Sequence, residues 1–157
     1  KWAAQKPTKK AVIVYDTMWG STAAMARALG EGLDAGGMHV KILPLAATHR
    51  SEVVADILCA GAILVGSPTI NGEMFPTVAD VLTYLKGLKP RNLVSAAFGS
   101  YGWSGEAVGK IGEVLKAMKL DVVGDGIKAQ YVPEADVLGD CWQLGHEIAG
   151  KVNENVT

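Results

Sequence analysis

Ala11-Val12-Ile13-Val14-Tyr15-Asp16-Thr17-Met18-Trp19-Gly20-Ser21-Thr22 is the stretch whose reading decides the fold. Its first five residues form an unbroken, β-branched-rich apolar run, the composition of a strand covered on both faces in a parallel sheet. Hydroxyl residues and a glycine follow at once. Beyond them Thr22, Met25, Ala26, Leu29 and Leu33 recur at helical spacing until Gly36 and Gly37 supply stop signals. Strand, short loop and helix make one complete β-α unit.

The same unit recurs outward from this stretch. Residues 39–45 read as a strand and 51–58 as a short helix, and residues 62–66 are another buried strand. Val78, Val81, Leu82, Leu85 and Leu88 follow the i, i+3, i+4, i+7 pattern of a helix that Pro76 opens and residues 87–90 close. Residues 92–99 are the fourth strand, and Val108, Ile111, Leu115 and Met118 mark the fourth helix. Residues 120–132 read as a fifth strand, and Leu138, Cys141, Trp142, Ile148 and Val152 as a last helix. Five units in strict alternation imply an α/β fold, a doubly wound five-stranded parallel sheet with helices on both faces, because right-handed crossovers place them there. No internal repeat or low-complexity segment interrupts the alternation.

Bulk properties agree with one ordinary domain. A chain of 157 residues can bury roughly 70% of its unfolded surface. Its 49% hydrophobic and 20% charged residues are those of a globular protein rather than a disordered tail. No apolar run approaches the roughly 20 residues that span a bilayer, and the polar start lacks a signal-peptide core, so a cytoplasmic protein is expected. Cys59 and Cys141 are too far apart for a CxxC pair and read as buried free thiols. His39, His49 and His146 show no metal-ligand spacing. A net charge of -1 without a basic block argues against a nucleic-acid partner. The first ten residues, KWAAQKPTKK, read as a linker.

In open doubly wound sheets, ligands bind beyond the carboxyl ends of the strands. Three of those loops are unusual. In the first, Thr17, Met18, Trp19, Gly20, Ser21 and Thr22 bring three hydroxyls and a run of amides to a helix N-terminus, where an anion such as a phosphate monoester is favoured. An ordinary N-cap by Ser21 or Thr22 would use the same residues. The second loop, SPTINGEMF, carries Pro68, Thr69, Ile70, Asn71 and Gly72, and could lay its backbone along a planar heterocycle or be a plain Asn-Gly surface turn. In the third, Gly99, Ser100, Tyr101, Gly102, Trp103, Ser104 and Gly105 set two aromatics among glycines, a good stacking surface for a flat ligand. The same aromatics could instead fold back onto the sheet.

At these loops the sequence resembles the flavodoxin-like superfamily, whose phosphate loop has the form T-x-[ST]-x-[NS]-T, here residues 17–22. Simple flavodoxins usually carry Ser or Thr at the third position, where this chain has Trp19. DTMWGST together with SPTIN and GSYGWSG is more similar to the flavodoxin domain of flavodiiron proteins, over residues 9–152. The resemblance implies the strand order 2-1-3-4-5 and FMN as cofactor, with residues 17–22 on its phosphate. Residues 68–72 and 99–105 would then enclose the isoalloxazine ring, and Trp103 would stack on it. It also implies electron relay from a donor such as rubredoxin or an NADH-linked reductase to a diiron oxygen or nitric oxide reductase site. That site belongs to a β-lactamase-like domain for which this chain has no ligand motifs. Residues 1–9, with Trp2, would be a linker remnant from that domain and residues 10–157 the FMN domain, in a parent protein that acts as a dimer.

Other readings fare worse. A receiver domain would need an aspartate ending the third strand, which ends in Gly66, Ser67 and Pro68. A dinucleotide-binding domain would need GxGxxG opening the first helix, and GWSGE lacks the second glycine of GxSxG. The closest rivals are an autonomous NAD(P)H:quinone-type flavin reductase and an assembly module that has lost FMN.

Overall fold

Along β1 (Lys10–Tyr15), Val12 and Val14 join one hydrophobic core while Ala11 and Ile13 join another. This period-2 division puts a core on each face of the sheet. The computed structural model describes residues 8–18, 20–102 and 105–156, within which β1 is followed by α1 (Ser21–Ala35), β2 (His39–Pro44), α2 (Arg50–Ile57) and β3 (Ala62–Gly66). Then come β4 (Thr69–Ile70), β5 (Glu73–Met74), α3 (Pro76–Leu88), β6 (Val94–Tyr101), α4 (Glu106–Ala117), β7 (Asp121–Val122), β8 (Ile127–Gln130) and α5 (Ala135–Val156). The strands are parallel in the order β2-β1-β3-β6, with β7 and β8 both on the outer side of β6. Taken as one strand position, β7 and β8 complete the expected order.

Each face is closed by the helices whose apolar stripes the sequence marked. Val81, Leu82 and Leu85 of α3 and Ile111 and Leu115 of α4 pack on Val12, Val14, Ile63 and Val65. Met25, Leu29 and Leu33 of α1 and Ile148 and Val152 of α5 pack on Ile13, Leu64 and Phe98. Burying one such side chain contributes about 1.5–3 kcal/mol. At the base of the sheet Asp56 binds Lys10 at 2.8 Å and Lys41 at 2.9 Å. Burial works to raise the Asp56 pKa, but hydrogen bonds and attraction from the two lysines outweigh it and hold the carboxyl below its usual value.

Three expectations are corrected. The fifth strand is not continuous over 120–132: β7 pairs only with Val94 and Ser95, and β8 pairs with residues 98–101 of β6. Between them Gly124 (φ 69°) and Gly126 (φ 92°) turn the backbone out of the ladder. The fourth strand extends to Tyr101, so Gly99, Ser100 and Tyr101 are strand rather than loop. Cys141 is buried, but Cys59, just past α2, is exposed. Among the described residues no helix is long and apolar enough to cross a membrane.

Candidate functional site

The carboxyl ends of β1, β3, β6 and β8 bring all three marked segments to one edge. At the first, Gly20 stands as the N-cap of α1 at φ 87°, and no side chain caps the helix there. Neither Ser21 nor Thr22 is therefore an ordinary N-cap. The Thr17 hydroxyl accepts the Gly20 N–H at 3.0 Å and keeps its own proton for another acceptor. Ser21 donates its hydroxyl to the Tyr131 carbonyl at 2.6 Å, and the buried Thr22 hydroxyl shares a hydrogen with Ser100 at 2.8 Å. Of the three hydroxyls expected to converge on an anion, two thus hold neighbouring segments in this structure. Asp16 anchors the loop, accepting from the Thr17 N–H at 2.8 Å and from the Thr77 hydroxyl at the start of α3 at 2.5 Å.

The second segment is a two-residue hairpin, with Thr69 opposite Met74 and Ile70 opposite Glu73. Asn71 (φ 50°) and Gly72 (φ 73°) both take the left-handed conformation that the favoured Asn-Gly hairpin turn demands. Ser67, wholly buried, staples the base: its hydroxyl donates to the Pro68 carbonyl and accepts the Phe75 N–H, each at 2.8 Å. Two further links fix the hairpin to α4. The Ala107 N–H donates to the Thr69 hydroxyl at 3.1 Å, and Lys110 pairs with Glu73.

An open cavity of about 320 Å³ lies between these segments. Met18 and Ser21 line it from the first, Pro68, Thr69, Ile70 and Asn71 from the second, and Ser100, Tyr101 and Gly102 from the third. Tyr131, just past β8, closes the remaining side. Thr17, Gly20, Thr22, Gly72, Gly99 and Gly105 are not part of the lining. Gly99 instead packs into the sheet, where a Cβ would stand 2.1 Å from the Ser67 carbonyl oxygen. Trp2, Trp19, Trp103 and Ser104 lie outside the described residues, and with them the stacking role expected of Trp103.

Sequence reasoning missed Asp16, Ser67 and Tyr131. Asp16 and Ser67 sit at strand ends beside marked residues, and a search for hydrogen-bonding side chains at every strand end would have found both. Tyr131 was hidden inside an apparent strand.

The flavodoxin family profile matches residues 13–145, and the chain belongs to that family. Its relatives are the flavodoxin-like parts of flavodiiron proteins. A nitric oxide reductase of Moorella thermoacetica is 46% identical over 97% of this chain, which spans 38% of that relative. Among solved structures, the rubredoxin:oxygen oxidoreductase of Desulfovibrio gigas superposes with a TM-score of 0.97 at 40% identity, over 99% of this chain and 39% of its own. The flavodiiron protein of Giardia intestinalis does so with a TM-score of 0.94 at 30% identity, over 98% and 38%. The chain thus spans little more than a third of these relatives. The cofactor that the family implies is FMN, and the residues present fit it. The uncapped N-terminus of α1 opens beside the cavity, and nothing lies within 4 Å of where a Gly20 Cβ would stand, so a phosphate can approach the backbone.

Proposed function

We propose that this chain is the electron-relaying FMN domain of a longer flavodiiron oxygen or nitric oxide reductase. The observation that carries the reading is the juxtaposition of an uncapped helix N-terminus with a cavity whose described lining has no charged side chain. When bound, FMN supplies the redox chemistry, taking up and releasing electrons singly or in pairs. The chain's own residues bind and orient it. The amides of Ser21 and Thr22 and the Thr17 hydroxyl would hold the phosphate, Asp16 fixes the loop that presents them, and residues 68–71 and 100–102 would enclose the ring, with Trp103 stacking on it. Ile70 and Met18, both exposed at the rim, keep the ring edge accessible to a partner while shedding water from it.

Electrons reach this site from a donor such as rubredoxin, which the name of the Desulfovibrio gigas relative suggests, or from an NADH-linked reductase. They pass to a diiron centre in another domain of the parent protein, brought within reach in a dimer. Among the described residues no group of His, Cys, Asp or Glu could hold that metal. The relay works in the cytoplasm, where two unpaired thiols suit the reducing milieu.

The test is the visible absorption spectrum of the chain before and after addition of FMN and then dithionite. Flavin bands that stay with the protein and bleach on reduction are expected. A colourless chain after excess FMN would overturn the reading, and steady NAD(P)H oxidation by the chain alone would replace relay with an autonomous reductase.

A further inference from the structure

Tyr131 is the one described cavity residue that belongs to none of the three segments, and its backbone is unusual. It holds φ 58°, a left-handed conformation rare for a bulky residue and one that persists only when its surroundings enforce it. The surroundings here are the site itself. The Tyr131 N–H donates to the Tyr101 carbonyl at 2.7 Å, and the Tyr131 carbonyl accepts the Ser21 hydroxyl at 2.6 Å. One residue therefore ties the first turn of α1 to the end of β6. Its ring lies beside Gly102, 3.4 Å from where a Cβ there would stand, yet remains 65% exposed. An aromatic ring so exposed, on the wall of a cavity lined by uncharged polar and apolar side chains, has one face without a partner among the described residues.

We propose that Tyr131 is a fourth flavin-site element. Its main chain sets the spacing between the phosphate end and the ring end of the cavity, and its side chain is the solvent-side wall that the bound isoalloxazine covers. The inference rests on the FMN reading above. It divides the residue's two roles between atoms that substitution can separate. Tyr131→Gly keeps the N–H, the carbonyl and the left-handed φ but deletes the wall. Tyr131→Phe keeps both.

The test pairs affinity with chemical protection. FMN dissociation constants of the wild-type chain, Tyr131→Gly and Tyr131→Phe are measured by flavin fluorescence quenching. Tetranitromethane nitration of Tyr131 is followed by peptide mapping with and without FMN, and Tyr84, 42% exposed on α3, serves as the internal control. The expected results are about tenfold weaker binding for Tyr131→Gly, near wild-type binding for Tyr131→Phe, and FMN protection of Tyr131 but not Tyr84. A tenfold loss corresponds to about 1.4 kcal/mol, the scale of one aromatic contact. Unchanged affinity of Tyr131→Gly, or equal nitration of Tyr131 with and without FMN, would overturn the proposal and leave the FMN site standing. A wild-type chain that takes up no FMN would overturn both. Should Tyr131→Gly unfold, protection in the wild-type chain alone decides the matter.

Discussion

The hydroxyls of Thr22 and Ser100 lie 2.8 Å apart, with Thr22 wholly buried, in the seam between the first turn of α1 and the end of β6. Each satisfies the other in a seam where Thr22 is shut off from water and Ser100 nearly so. Replacing one partner leaves a buried hydroxyl without its mate, at a cost of about 1–3 kcal/mol, whereas replacing both with apolar groups of similar shape is nearly neutral. Urea denaturation should therefore find Thr22→Val and Ser100→Ala each destabilised by that amount and the double variant less destabilised than their sum. Strict additivity would mean that the two hydroxyls do not depend on each other.

The Asp16–Thr77 bond, at 2.5 Å, reaches across 61 residues to fix the loop after β1 against the start of α3. Its surroundings are more exposed, so its loss should register in the loop rather than in global stability. Thr77→Val is expected to weaken FMN binding about 2- to 12-fold, the equivalent of one net hydrogen bond of about 0.5–1.5 kcal/mol, while the denaturation midpoint moves little. A titration giving the wild-type dissociation constant would show that the loop holds its shape without this tether.

What the sequence disclosed and what it hid have physical causes. Residues 11–14 and 62–66 are buried on both faces, so their apolar runs are unbroken and the strands could be read directly. Helices α3 and α4 each bury one stripe, and the period of that stripe survives in the sequence. Strands β4, β5 and β7 are two residues long, too short to display any period, and Asn71–Gly72 revealed the turn between β4 and β5 but not the pairing beside it. The break between β7 and β8 depends on the positive φ of Gly124 and Gly126, which composition alone signals only as flexibility. The loops of the site were legible because they combine glycines, hydroxyls and aromatics at strand ends. The tethers among them were not, since Ser21 and Tyr131 are 110 residues apart and no local pattern joins them.

The two thiols should differ sharply in reactivity. Burial, and behind it the negative charge of Asp140, pushes the Cys141 thiol up to about 12, so almost none of it is thiolate at pH 8. Cys59 is exposed. Because the thiolate is the nucleophile, an aromatic disulfide reagent at pH 8 should titrate one thiol per native chain promptly and the second only after denaturation. Two fast thiols in the native chain would mean that α5 opens readily from the sheet.

None of the ten described residues lining the cavity carries a charge; of the carboxylates beside the hairpin, Glu73 is paired with Lys110, and Glu106 stands 3.7 Å from where a Gly72 Cβ would be, outside the lining. A carboxylate facing reduced, anionic FMN would oppose reduction: two like charges ~8 Å apart at an effective dielectric of ~20 repel by about 2 kcal/mol. Without such a shell, the two-electron potential should be less negative than in a flavodoxin whose cavity is ringed by acids. Asn71→Asp supplies one carboxylate at a turn position that tolerates aspartate. Spectroelectrochemical titration should then find the potential lowered by up to about 40 mV, since about 30 mV corresponds to 1.4 kcal/mol for a two-electron couple. The shift should shrink as salt is added, because the Asn71 position is exposed and ionic screening reaches it. An unchanged potential at low salt would mean that the hairpin turn stands farther from the ring than the cavity lining implies.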